Sequence, residues 1–119
     1  MKGIQDLDLQ MIDRTVVTVI PKPKFYEWEE EVFPGSPTSA DQNEFISYLI
    51  DDEAYNGDAK QALKKHWKFI FENELFSICT DDTMWPKRRT WKSFNEFFEV
   101  KFSTMVFDLL DDGVYKKRF

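Results

Sequence analysis

The sequence predicts a small α+β domain: a mostly antiparallel sheet of three to four strands, with about three helices packed on one face. Three observations predict it. Residues 14–20 (RTVVTVI) are dominated by β-branched side chains, the composition of a strand. Phe25, Trp28 and Val32, and further on Leu63, Trp67, Ile70 and Phe71, recur at helical spacing. Strand-like and helix-like stretches alternate within 119 residues, a length that suits a single globular domain over 1–119.

Residues 1–13 read as a loose N-terminal arm, in which Leu7, Leu9 and Met11 alternate with polar residues and allow a short edge strand. The strand over 14–20 stops at Pro21, and Pro23 opens a helix. Its apolar face is Phe25, Trp28 and Val32, which leaves Glu27, Glu29, Glu30 and Glu31 as an acidic outer face. Residues 34–37 (PGSP) end it, and 36–43 form a polar connector. The short apolar run 45–50, bounded by Asp51, Asp52 and Glu53, reads as a strand. Asn56-Gly57 is a turn signal and Asp58 a good N-cap.

One long helix is expected over 58–78. Its stripe runs through Leu63, Trp67, Ile70, Phe71, Leu75 and Ile78, with Lys60, Lys64 and Lys68 on another face. Residues 80–83 break it. Thr90 then caps a further helix whose shared face is Trp91, Phe94 and Phe98. Residues 100–109 fit two patterns. Alternation of Val100, Phe102, Thr104 and Val106 favours a strand, while Phe98, Phe102, Met105 and Leu109 also fit helical spacing. In the strand reading Asp112-Gly113 turns a hairpin into 114–119; in the helical one Gly113 is a C-terminal cap.

Most chemistries are excluded by what is missing. Cys79, alone, forms neither an internal disulfide nor a cysteine-based zinc site. On one unbroken helix, His66 and Cys79 would lie about 20 Å apart, too far for a nucleophile pair. The four glycines are scattered, so neither phosphate-cradling pattern occurs. A calcium loop starting at Asp51 would need glycine at its sixth place, where Asn56 stands. We therefore expect no cofactor and no metal. No signal peptide pattern and no membrane-spanning apolar run is visible, which points to the cytoplasm.

Charge is unevenly spread. Residues 1–59 hold four Lys/Arg against thirteen Asp/Glu, and 60–119 hold twelve against nine. The overall net charge of −6 disfavours nucleic acid, although Lys60, Lys64, Lys65, Lys68, Lys87, Arg88, Arg89 and Lys92 supply local cations. Aromatic residues reach 17%, twelve Phe, four Trp and four Tyr, enough rings that some could mark a partner surface. The candidate binding residues are Arg14, Lys22, Trp28, Trp85, Arg88, Arg89 and Trp91. Two readings of residues 85–91 stand side by side. Two Trp and three cations suit recognition of an anionic group. Alternatively, the Trp rings close the edge of the core with Arg stacked on them.

Across most of its length the chain resembles a group of short bacterial proteins without an assigned activity. The similar features are Arg14 with Val17 and Val19, Pro21-Lys22, Phe25, Trp28 and Tyr48-Leu49-Ile50. Trp85-Pro86, Arg89-Thr90, Phe94, Phe97-Phe98, Phe102, Met105-Val106 and Asp108-Leu109 continue it. The resemblance implies a bacterial, stand-alone domain and carries no catalytic residue across. Where such proteins would have His, this chain has Ser103.

The leading functional expectation is a non-enzymatic interaction or regulatory module, with a protein partner or a homo-oligomer. The alternative is a binder of small anionic ligands, or an enzyme, using Arg14, Lys22 or Arg89 with a carboxylate as acid or base. A third is an acidic mimic of nucleic acid, built on the carboxylates of the first half.

Overall fold

Alternating Val and Thr over Thr15–Pro21 build the strand around which the chain folds. The computed structural model describes residues 10–41, 44–52 and 58–118. In chain order the elements are β1 (Gln10–Met11), β2 (Thr15–Pro21), α1 (Pro23–Val32), β3 (Ile46–Ile50), α2 (Ala59–Lys64), α3 (Trp67–Phe76), α4 (Trp91–Phe97), β4 (Phe98–Ser103) and β5 (Phe107–Asp108). Single 3-10 turns lie at Ser39–Asp41 and Asp82–Met84. The fold is α+β, as expected: a three-stranded antiparallel sheet in the order β3-β2-β4, a separate antiparallel ribbon β1-β5, and four helices.

Register divides the sheet into two faces. Val17 lies opposite Tyr48 and Phe102, and Val19 opposite Ile46 and Val100. Thr15, Val17 and Val19 are fully buried on this inner face, where the helices pack. Successive strand side chains point to opposite faces, so Val16, Thr18 and Ile20 line the other side, where Thr18 and Ser47 share a hydrogen bond of 2.9 Å. The core is largely aromatic. Phe71 of α3 meets Phe94, Phe97 and Phe98 at ring-centroid distances of 5.9, 5.3 and 5.4 Å. Such pairs contribute about 0.5–1.5 kcal/mol each beyond their buried area.

Local signals set several boundaries. Pro23 starts α1, and Gly35, at φ +76°, takes the left-handed conformation that follows it. The Asp58 carboxylate caps α2 by accepting from Gln61 N–H. Thr90 and Ser93 form a reciprocal capping box at the start of α4: Ser93 N–H donates to Thr90 Oγ1 (3.1 Å) and Thr90 N–H to Ser93 Oγ (2.7 Å).

Four expectations are corrected. The long helix is two helices, broken at Lys65-His66. There the N–H groups of Lys65 and His66 donate to Ala62 and Leu63 in tight i−3 turns. Both side chains reach Asp51 at the end of β3, at 3.4 and 3.0 Å, which holds the break in place. Phe98 does not share the helix face of Trp91 and Phe94: it leaves the helix in an extended conformation and pairs with Pro21, so the favoured strand reading holds, over 98–103. The hairpin at Asp112-Gly113 does not form among the described residues. Instead, Phe107–Asp108 turns back to pair with Gln10–Met11, and Ile12 N–H donates to Val106 carbonyl at 2.7 Å. Glu29 does not belong to the acidic outer face; it is buried. Leu7, Leu9 and the Asn56-Gly57 turn lie outside the described residues.

Candidate functional site

The residues singled out in the sequence are dispersed. Trp28 is a core residue whose indole N–H donates to Met84 carbonyl at 3.0 Å. Trp85 donates likewise to Cys79 carbonyl at 2.8 Å, so the two indoles fasten the loop between α3 and α4 to the core. Arg89 lies 5.6 Å over the Trp85 ring and donates to Pro86 carbonyl at 2.7 Å. Trp91 stacks on Phe94 at 5.9 Å, with the Lys64 ammonium 5.5 Å over its own face. Trp85 and Trp91 thus pack against the edge of the core, with Arg89 and Lys64 over their faces.

Lys22 fastens the β2–α1 corner to α4. Its ammonium donates to Asn95 carbonyl at 2.9 Å and its N–H to Phe97 carbonyl at 2.8 Å. Arg14 is exposed and pairs with its neighbour Asp13 at 2.8 Å. It borders a cleft shared with Asp51 and His66. Asp51 is held below its usual carboxylate range, first by His66 and further by Lys65. His66 thus faces Asp51, while the Cys79 thiol donates to Asp81 carbonyl at 3.6 Å, so the two do not form a nucleophile pair.

Arg88 lines an open cleft with Lys24, Lys92, Thr90, Ser93 and Glu96. Lys24 pairs with Glu96 at 2.6 Å, and this bond leads in depressing the Glu96 carboxyl, with Lys92 and Arg88 adding to it. Arg14, Lys22, Arg88 and Arg89 therefore do not converge on one site.

The buried polar chemistry lies elsewhere. Glu74 of α3 is 3% exposed. Tyr48, on the inner face of β3, donates its phenol O–H to Glu74 Oε2 at 2.6 Å, and Asn73 Nδ2 donates to Tyr48 Oη at 3.0 Å. Burial pushes the Glu74 carboxyl up to about 7, against the opposing pull of the Tyr48 bond. Burial also raises the Tyr48 phenol, which keeps it protonated as the donor. The buried Glu29 carboxylate accepts from both N–H and Oγ–H of Ser39, at 2.6 to 3.3 Å.

A cavity of about 230 Å³ opens beside Glu74, lined by residues that include Phe25, Tyr26, Glu44, Phe45 and Ser77. None of its described lining residues is Lys, Arg or His. A second depression, containing Glu29, adjoins it through Ser39, Ser77 and Ile78. A sequence signal for both carboxylates existed. Glu74 stands four places after Ile70 and four before Ile78, in the apolar stripe of α3. Glu29 stands four after Phe25. A charged residue in a stripe marks a buried polar site. No group of three metal-ligating side chains occurs among the described residues.

A second surface is apolar and exposed. Met105, Phe107, Leu109, Leu110, Val114 and Tyr115 are each between 46 and 78% exposed, and Met11 of the ribbon adds to them. Residues 109–118 form no helix or strand. Among the described residues no helix is long and apolar enough to cross a membrane. Comparison with family models, curated proteins and solved structures finds no match to this chain.

Proposed function

We propose that this protein is a non-enzymatic interaction module that associates with a second copy of itself through residues 105–118. The observation that carries the proposal is the order of residues 111–117, DDGVYKK, within the exposed segment. Antiparallel pairing of this segment with its own copy about Val114 sets Asp111 opposite Lys117 and Asp112 opposite Lys116. The same contacts arise twice around a two-fold axis, the commonest symmetry of homo-oligomers. Opposite charges facing each other across antiparallel strands contribute roughly 0.2–1 kcal/mol per pair. The four pairs of a dimer would thus contribute about 1–4 kcal/mol.

Apolar area supports the same reading. Leu109, Leu110 and Val114 are each 72% exposed, a cluster that a lone chain leaves in water. The ribbon is only two residues long on each strand, and so short a pairing has little stability by itself. Covering it in a dimer would supply the missing burial.

The other readings draw less support. A binder of anionic ligands would use convergent Arg and carboxylate groups, and Arg14, Lys22 and Arg89 are spent on separate partners. An acidic mimic would use Glu29, Glu30 and Glu31 as a surface row, and Glu29 is turned inward onto Ser39. The buried Cys79 is in keeping with a cytoplasmic protein.

Sedimentation equilibrium of the full chain tests the proposal. The wild type should dimerise, more weakly as salt rises. Asp111→Lys with Asp112→Lys should give a monomer. Adding Lys116→Asp and Lys117→Asp to that variant should restore the dimer, since the reversed pattern is again self-complementary. A monomeric wild type at millimolar concentration, or a four-site variant that stays monomeric, would refute it.

A further inference from the structure

We propose that the cavity beside Glu74 is a binding site for a small organic ammonium ion. This goes beyond self-association and is independent of it, because no residue of 105–118 lines the cavity.

The site is built around one carboxyl group. Glu74 is 97% buried by its 3% exposure, and its Oε2 is fixed by Tyr48 at 2.6 Å. Tyr48 is itself fixed by Asn73 at 3.0 Å, so the carboxyl plane is held from one side. Oε1 accepts no hydrogen bond from the described residues, and Glu74 lines the cavity. A buried carboxylate without a counter-ion is costly, and a donor bearing positive charge is the group that offsets the cost. The described residues lining the cavity supply none: the titratable ones are Glu74, Glu44 and Tyr26. Glu29, behind Ser39, adds further negative charge. Anions are therefore repelled.

The walls select an organic cation over a bare metal ion. Phe25, Tyr26 and Phe45 line the cavity with Glu74, and aromatic faces attract ammonium groups. Two carboxylates and the Ser77 hydroxyl can accept the three N–H donors of a primary ammonium. A volume of about 230 Å³ equals that of roughly seven to eight waters at about 30 Å³ each, room for a small monoamine. Phe45, 49% exposed, stands at the mouth.

The probes are 2-phenylethylammonium and its neutral counterpart 2-phenylethanol, titrated into the full isotope-labelled chain and followed by amide NMR. At about pH 8 the Glu74 carboxyl, at about 7, is mainly ionised and the amine is protonated. The amine should shift the amides of Ile46, Ser77 and Ile78 saturably and bind at least about tenfold more tightly than the alcohol. Glu74→Gln, with native amide dispersion, should erase that preference. Glu44→Gln at the rim should weaken amine binding without abolishing it, which supplies a test if the Glu74 variant fails to fold. Equal binding of amine and alcohol, no saturable shift, or an unchanged preference in the folded Glu74→Gln protein would each overturn the proposal.

Discussion

Replacing Glu74 by Gln should make the protein's stability less dependent on pH, and by a calculable amount. The carboxyl titrates at about 7 in the fold against an ordinary value of 4.5. The folded state therefore holds a proton that the unfolded chain has released. Between those two values folding takes up a proton, so stability falls as the pH rises. The contribution is fully present below about pH 4.5 and is lost as the pH passes through about 7. One pKa unit is worth about 1.4 kcal/mol, so the whole swing is about 3 kcal/mol. Gln keeps the carbonyl that accepts from Tyr48 and removes the titration. Urea unfolding of both proteins, followed by circular dichroism from about pH 4 to about pH 8.5, gives the difference between them at each pH. Other titrating groups cancel in that difference. Wild type should lose about 3 kcal/mol relative to the variant across the range. A difference constant within about 0.5 kcal/mol would show that Glu74 is not desolvated as its burial implies.

Thr15→Val should stabilise the fold by about 1 kcal/mol in thermal or urea unfolding. Thr15 is fully buried and its Oγ1 has no hydrogen-bond partner among the described residues, so an isosteric methyl removes an uncompensated desolvation cost. Phe71→Ala should cost about 3–5 kcal/mol, because Phe71 is fully buried and its ring joins α3 to α4 and β4. A loss below about 1 kcal/mol in urea unfolding would mean that the aromatic cluster is not the centre of the core.

What the sequence made legible was local. The β-branched run of β2, the Pro start of α1, and the caps at Asp58 and Thr90 depend on neighbours within a few residues, and each stands where expected. What it hid was decided across the chain. The break at Lys65-His66 is held by Asp51, fourteen and fifteen residues away. Residues 107–108 chose β1 over a nearby hairpin, and nothing in the local pattern names that partner. The binding candidates were selected by residue type, Trp and Arg, yet indole N–H groups and guanidinium forks serve equally well to fasten a loop. Here Trp28, Trp85 and Arg89 all donate to backbone carbonyls.

Glu29 and Glu74 teach the converse. Counting acidic residues assigns Glu29 to a solvated face and passes over Glu74, because charge is usually outside. Their position within the apolar stripes says otherwise, and position decides. A carboxylate in a stripe must either find a partner or keep its proton. Glu29 does the first with Ser39, and Glu74 combines the two, bonded by Tyr48 and pushed up to about 7. The first arrangement closes a polar site and the second leaves one open. The chain's surplus of negative charge in its first half is thus not only a surface property. Part of it, with Glu74 from the second half, borders a cavity that has no cation among its described lining residues.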